Sequence, residues 1–291
     1  VAKFEPKVIF ITGCSSGFGF RTAIRLARSG HHVVATMRDL SRSGVLISEI
    51  KNFKKEIDLY QLDVINKKMI KDVVRLIAAK HGYIDVLINN AGYGIGGFFE
   101  DLSDEEIREQ FETNFFGVQN VTREVIPCMR QRHSGKIINI SSIAGLSAIP
   151  SFGAYNASKW ALEGFSESLR YEMKIWGIDV IMVEPGTYKT KIFYENARRA
   201  KNFSHPDSPY YLISQFLDKK VMNYVNGCDK DIEDVPKLIE KLIIAKNPPF
   251  RNIPDIETKV LYGLRRLLPF PLYSKLIFKT LFAGYKFPNK K

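Results

Sequence analysis

The stretch "VIFITGCSSGFG", Val8 to Gly19, decides how the rest of the chain is read. Its first half is a short run of Val, Ile, Phe and Thr. Its second half places Gly13, Gly17 and Gly19 in a G-x-x-x-G-x-G spacing around Ser15, Ser16 and Phe18. A buried strand that ends in glycines and passes straight into a helix lets the backbone turn sharply and approach a pyrophosphate. The helix N-terminus favours that negative charge. A glycine-rich string alone is a weak signal; its place between a first strand and a first helix gives it weight.

Outward from this turn, short apolar runs alternate with longer amphipathic stretches. Strands are predicted at Val8–Thr12, Val33–Met37, Ile57–Leu62, Val86–Asn89, Lys136–Ser141 and Asp179–Val183. Their near-continuous β-branched character predicts burial on both faces, as in a parallel sheet. Helices are predicted over Gly19–Ser29, Asn66–His81, Asp104–Arg132 and Ala154–Trp176. Ser103 with Glu106 three residues on forms a capping-box signature. The repeated βα order predicts an α/β fold: a doubly wound, Rossmann-type parallel sheet of about seven strands with helices on both faces. One domain is expected over 7–256, with a lid over about 187–225. A basic amphipathic helical extension follows over 257–291.

Composition narrows the function classes. The chain has 291 residues, 25% of them charged and 45% hydrophobic, with a net charge of +12. These values suit a globular protein with a large core. From Lys237 onward there are 12 Lys or Arg against Glu240, Asp255 and Glu257. The positive excess is therefore mostly a property of the tail, and no basic run interleaved with aromatics occurs in the first 200 residues. No nucleic-acid partner is expected. Cys14, Cys128 and Cys228 are far apart with no C-x-x-C, which fits a reducing, cytoplasmic setting. The five histidines show no ligand spacing, so no metal is expected. With an apolar run from Val8 and a turn at Gly13, no N-terminal signal peptide or span is expected within this sequence.

After the second strand, an acidic residue gripping a ribose 2′-hydroxyl would indicate NAD. "ATMRDL" instead puts Arg38 just past the strand end, followed by Asp39. The planar guanidinium suits a 2′-phosphate, with Ser15 and Ser16 as further donors, so NADP(H) is expected ahead of NAD(H). The competing reading has Arg38 merely capping the end of the sheet.

"NNAG" at Asn89–Gly92, "SS" at Ser141–Ser142 and "YNASK" at Tyr155–Lys159 follow the glycine turn in order. With them the chain resembles the short-chain dehydrogenase/reductase family, over about residues 7–190. Within it, "TGCSSG", "VVATMRDL" and "SKWALEGFSESL" look like the branch that includes estradiol 17β-dehydrogenases, retinol dehydrogenases and bacterial relatives. The resemblance implies a catalytic tetrad of Asn114, Ser142, Tyr155 and Lys159. Ser142 lies 13 residues before Tyr155 and Asn114 lies 41 before it. It also implies cofactor contacts from Gly13, Ser15, Ser16, Gly17, Phe18, Gly19, Arg38, Asp63, Val64, Asn90, Ala91 and Gly92. Pro185, Gly186, Thr187 and Thr190 would hold the nicotinamide side, with Tyr155 and Lys159 also touching the cofactor. Cys14 and Tyr188 depart from the family's usual residues.

The chemistry needs such groups. Carbonyl reduction adds a hydride to carbon and a proton to oxygen, and the protein must supply positioning and the acid. A tyrosine with pKa about 10 is a poor base near neutrality. A lysine four residues on, on the same helical face, is expected to favour the phenolate and lower that value. Of the 13 tyrosines only Tyr155 has such a lysine. Ser142 can hydrogen-bond the substrate oxygen. Asn114 in mid-helix is a poor helix former whose place needs a reason, and the family reading is a water relay from Lys159. Singly, Ser142 could be a strand-end cap, Asn114 a helix-surface residue and Tyr155–Lys159 an ordinary i, i+4 pair.

Residues 187–225 hold eight aromatics, among them Tyr188, Phe193, Phe203, Tyr211 and Phe216. They suggest a small apolar substrate such as a steroid, retinoid, lipid ketone or aldehyde. Equally, they could pack the lid onto the domain. Tyr93, Ser142, Ile143, Ile149, Phe152 and Tyr188 are the candidate substrate contacts. In the tail, Val260, Leu261, Leu264, Leu267 and Leu268 share one helical face, and Leu272, Leu276, Ile277 and Leu281 repeat the pattern past a proline break. The favoured reading packs these on the protein's own core or a subunit interface, in keeping with an expected homo-oligomer. Peripheral contact of 258–282 with an anionic membrane is the alternative. Other readings of the whole chain are a 3-oxoacyl thioester reductase and a non-catalytic NADP(H)-sensing protein.

Overall fold

The computed structural model describes residues 5–51 and 57–287. Residues 288–291 of the predicted extension lie outside them. Nine strands are found among the described residues: β1 (Val8–Ile11), β2 (His32–Met37), β3 (Asp58–Gln61), β4 (Val86–Asn89), β5 (Ile95–Gly96), β6 (Gly135–Ile140), β7 (Ile178–Val183), β8 (Arg198–Arg199) and β9 (Arg251–Asn252). Seven form one parallel sheet in the order β3-β2-β1-β4-β6-β7-β9, and β5 pairs with β8 in a small second sheet. The order reverses at β1, which lies between β2 and β4, so a crevice opens at the carboxyl ends of these strands.

Among the described residues ten α-helices flank the sheets: α1 (Gly17–Arg28), α2 (Gly44–Lys51), α3 (Lys67–His81), α4 (Asp104–Phe111), α5 (Gly117–Gln131), α6 (Gly153–Lys174), α7 (Tyr211–Gly227), α8 (Asp234–Ile244), α9 (Ile256–Leu267) and α10 (Phe270–Leu281). Consecutive strand residues point to opposite faces, and both faces are covered. On one side Ile9, Ile11, Val33 and Ile88 meet Leu26 of α1 and Ile239 of α8. On the other, Val8, Phe10, Val34 and Leu87 meet Ile77 of α3, Val121 of α5 and Leu169 of α6. This double burial is why the strands read as unbroken apolar runs rather than as alternations.

The six strands expected from the sequence are present with ends shifted by a residue or so. The seventh, β9, is only two residues long and carries no strand-like run. The helix expected over Asp104–Arg132 is broken into α4, a π-helical turn over Glu112–Phe116, and α5. Asn114 sits in the middle of that turn, so its poor fit to a regular helix has a structural cause. The capping box is present: Ser103 accepts from the Glu106 amide, and Glu106 accepts from the Ser103 amide at 2.9 Å.

Candidate active site

The glycine turn is pinned to the end of β4. The Thr12 hydroxyl accepts the amides of Asn90 and Ala91, both at 3.0 Å. The Asn90 side-chain amide donates to the carbonyls of Thr12 and Gly13, both at 2.9 Å. Gly13 and Gly17 adopt left-handed φ values of 74° and 60°. A Cβ at Gly13 would come within 2.7 Å of Ala91 Cα, and one at Gly19 would collide with the Asn90 amide. Ser16, the residue preceding α1, is extended and its side chain does not cap the helix. Backbone free of Cβ atoms thus faces an uncapped helix N-terminus, which fits a pyrophosphate.

In front of this cradle lies a cleft of about 600 Å³. Its walls include Gly13, Ser15, Ser16, Gly17, Phe18, Arg38, Asp63, Val64, Asn90, Ala91, Gly92 and Tyr93 on the side of the turn. Ser142, Phe152, Tyr155, Lys159, Pro185, Gly186, Tyr188 and Thr190 complete it. Residues 130 or more positions apart in the sequence therefore converge on one space, as the motif order predicted.

Behind the wall, Asn114 is wholly buried and its side chain is fully engaged. Its Oδ1 accepts the Tyr93 amide at 3.1 Å, and its Nδ2 donates to Tyr93 O at 2.9 Å and Ser158 Oγ at 3.2 Å. Ser158 donates to Tyr155 O at 2.8 Å, so Asn114 is linked through Ser158 to the helix that carries Tyr155. Deeper still, Asn89 donates to Asn139 at 2.8 Å and to Thr122 at 2.9 Å, and Asn139 donates to Ser166 at 2.9 Å. These buried amides cross-link β4, β6, α5 and α6 beneath the cleft, and each bond inside a low-dielectric core resists displacement.

Lys159 Nζ donates to Ile140 O at 2.9 Å and lies 5.9 Å from the centre of the Tyr155 ring. Burial pushes the lysine down to about 8, opposed by the Glu163 carboxylate. Burial also raises the Tyr155 phenol, opposed by a hydrogen bond with Ser142. The expected lowering of Tyr155 by Lys159 is not what this site shows: loss of hydration around the phenolate raises it, and the opposing pull comes from Ser142. The Ser142 hydroxyl accepts the Ala144 amide at 3.1 Å, which leaves its own proton free to be donated.

Several predicted contacts lie elsewhere. Ile143, expected on the substrate wall, does not border the cleft; its amide donates to Pro185 O at 2.9 Å. Ile149 lines a narrow neighbouring niche with Gly96, Phe203, Leu217 and Leu281, and Phe152 borders both spaces. Thr187 is turned away, its carbonyl accepting the Cys228 thiol at 3.3 Å. Gly19 and Asn114 support the cleft from behind rather than lining it. Tyr188 touches the cleft but is only 1% exposed. Its ring meets Phe18 edge-on at 5.4 Å, and its hydroxyl donates to Asp255 at 3.4 Å. It is chiefly a packing residue. The Cys14 thiol is buried and pushed up to about 12 by that burial, so it is inert.

The structure also adds residues that the sequence reading missed. Glu163 is buried one turn beyond Lys159, so Tyr155, Lys159 and Glu163 form an i, i+4, i+8 ladder that could have been read directly. Arg251 of β9 bonds Glu163 and donates to Glu184 at 3.0 Å and Glu167 at 3.2 Å. Burial, with the nearby Glu163 charge, pushes Glu184 up to about 8. A Cβ at Gly145 would stand 3.0 Å from both Glu163 Cγ and Ser141 Oγ, so the cluster packs directly under the catalytic-lysine candidate. Arg42 joins Arg38 at the cleft rim, where Asp39 accepts the Ser41 amide at 2.9 Å. Among the described residues, no group of three or more His, Cys, Asp or Glu could hold a metal ion.

Comparison with known proteins gives the same frame. Residues 7–201 match a family model described as short chain dehydrogenase. The chain is 38% identical to the uncharacterized oxidoreductase YusZ of Bacillus subtilis, covering 96% of this chain and 100% of that protein. It is 40% identical to a 3-ketodihydrosphingosine reductase of Bacteroides thetaiotaomicron (85% and 87% covered) and 33% identical to retinol dehydrogenase 8 of Bos taurus (91% and 86%). A short-chain dehydrogenase from Streptomyces avermitilis superposes with a TM-score of 0.80 at 30% identity, over 98% of this chain and 100% of that one. A Burkholderia phymatum enzyme in complex with NAD gives 0.79 at 26% identity, over 91% and 95%. A metagenomic oxidoreductase in complex with NADP gives 0.67 at 25%, over 86% and 98%. With its glycine cradle, its cleft and these likenesses, the chain belongs to the short-chain dehydrogenase/reductase family of oxidoreductases.

Proposed function

We propose that the chain is an NADP(H)-dependent enzyme that interconverts an alcohol and a carbonyl on an apolar substrate. One observation carries the reading: Tyr155, Ser142 and Lys159 share a single cleft with the glycine cradle. Bound there, a nicotinamide dinucleotide would supply or accept the hydride.

The residues account for the proton. A phenol whose pKa is raised by burial stays protonated, which suits an acid that gives its proton to a carbonyl oxygen. Ser142 donates a hydrogen bond to the same oxygen and stabilises charge that develops on it. Lys159, anchored on Ile140 O, puts an ammonium beneath the phenol and eases the return of a proton to it. Because the Asn114 side chain is spent on Tyr93 and Ser158, a water relay from Lys159 would have to use its main-chain carbonyl, where the π turn interrupts the helical ladder.

The preference for NADP(H) rests on the rim. The Asp39 carboxylate, the group that would grip a ribose 2′-hydroxyl, is committed to Ser41, whose hydroxyl and then amide hold it below its usual range. Arg38 and Arg42 remain at the rim, where a 2′-phosphate would gain charge-assisted hydrogen bonds. An apolar substrate is supported by Tyr93 and Phe152 on the wall and by relatives named for ketodihydrosphingosine and retinol. The test is oxidation of NADPH and of NADH by the purified chain with steroid ketones, retinal, long-chain ketones and acyl thioesters. Faster NADPH oxidation with an apolar ketone or aldehyde, lost in Tyr155→Phe, is expected. Equal rates in wild type and Tyr155→Phe, or a preference for acyl thioesters, would overturn the reading.

A further inference from the structure

The C-terminal helices turn their apolar side outward. On α9, Ile256, Val260, Leu264 and Leu267 recur at steps of four, four and three, which puts them on one face. Ile256 is 78% exposed and Leu267 84%. The opposite face is the one that docks: Thr258 is buried, and Lys230 reaches Asp255 at 2.8 Å and Glu257 at 2.7 Å at the start of the helix. α10 docks through Tyr273, Ile277 and Leu281, at steps of four, and leaves other apolar side chains outside. Tyr273 is buried against Ser147, and Lys220 donates to Thr280 O at 2.6 Å. Phe270, Leu272, Leu276 and Phe278 stand in solvent. A helix that covers its own core buries its apolar stripe; α9 does the reverse, and α10 adds four exposed apolar side chains beyond the face it docks.

Charge identifies what would cover the stripe. From Thr258 to Lys291 there are eight Lys or Arg and no Asp or Glu. Lys259 and Arg266 flank the α9 stripe, and Lys275 and Lys279 stand a turn apart on α10. Their long stems can follow the apolar face while the ammonium or guanidinium stays at its edge.

We propose that the exposed faces of α9 and α10 dock on an anionic lipid surface. A second copy of the chain would bring like cations against like cations across a two-fold axis, which is repulsive. A polyanion without hydrocarbon would match the charge and leave the leucines and phenylalanines in water. An anionic bilayer satisfies both, taking the apolar side chains at the headgroup boundary and the cations at the phosphates. The contact is peripheral, since among the described residues no helix is long and apolar enough to cross a membrane. It stands independently of the catalytic reading.

The test is flotation of the full chain with phosphatidylcholine vesicles, with and without about 30% phosphatidylglycerol. Recovery with the anionic vesicles only, weakened by salt, is expected. Lys259→Gln and Lys275→Gln should each weaken the partition about fivefold, and Leu267→Glu by more than about tenfold. All three positions are exposed, so the melting temperature should not change and the fold serves as its own control. Equal recovery with neutral vesicles, or wild-type flotation by Leu267→Glu, would overturn the proposal. So would a wild type that floats with neither vesicle and sediments as a dimer dissolved by Leu267→Glu.

Discussion

The floor of the cleft and the lid beside it are held by different kinds of bond. On the floor, Asn89, Asn114, Asn139 and Lys159 are buried, and each is fixed by neutral or main-chain partners at 2.8–3.2 Å. The lid carries ion pairs that solvent reaches, such as Arg198 to Glu109 at 2.9 Å across to α4 and Lys191 to Glu195 at 2.8 Å within the lid itself, beside hydrogen bonds to Asp101 and Glu106. Exposed pairs contribute only about 0–1 kcal/mol each, whereas an unpartnered polar group on the floor costs about 1–3 kcal/mol. The candidate proton-transfer groups are thus held in one geometry, while the exposed pairs of the 187–225 segment can be exchanged at little cost.

The largest test of this contrast is Tyr155→Phe. It should lower turnover about 10²–10⁴-fold while NADPH affinity stays within about twofold, by steady-state kinetics and fluorescence titration. A matching loss of NADPH affinity would mean that the phenol holds the cofactor rather than supplying a proton.

Next comes a paired stability measurement. Arg251→Met leaves Glu163, and above about pH 8 Glu184 as well, buried without its cation and should cost about 3–5 kcal/mol in urea unfolding at alkaline pH. Arg198→Met on the lid should cost no more than about 1 kcal/mol. Similar losses at both positions would erase the distinction between floor and lid.

At the rim, Arg38→Ala should weaken NADPH about tenfold and leave NADH unchanged, read by titration with each dinucleotide. The smallest effects concern pH. Lys159 holds its proton to about pH 8, so carbonyl reduction should decline as pH rises through that value. Glu163→Gln removes a carboxylate that favours the ammonium, and the alkaline limb should move to lower pH. Glu184 keeps its proton to about pH 8 when folded, against an ordinary 4.5. The folded state therefore binds more protons across that window, and stability should fall as pH rises through it. Glu184→Gln should flatten that part of the urea-midpoint profile.

Much of the site was legible because its signals are local. The glycine spacing, the strand before it and the helix after it lie within Val8–Arg28. Helical period alone puts Lys159 one turn from Tyr155. The errors came where side-chain direction depends on neighbours distant in sequence. Ile143, Ile149 and Thr187 sit beside the right motifs but face other partners, and Tyr188 is claimed by Phe18 and Asp255. The surroundings of the tail depend on distant neighbours in the same way. Periodicity finds an apolar stripe, but only docking through Thr258 and Tyr273 shows that the stripe on α9 faces solvent.

The order of strands and helices, the cradle and the pairing of Tyr155 with Lys159 on one helical face follow from short-range spacing, because turns and helices close over a few residues. Asn90 against Thr12, 78 residues away, and Arg251 against Glu163, 88 away, exist only once the sheet has assembled. So do the pushed-up phenol and the pushed-down lysine. Their shifts come from burial, and burial belongs to the packed chain rather than to any segment of it.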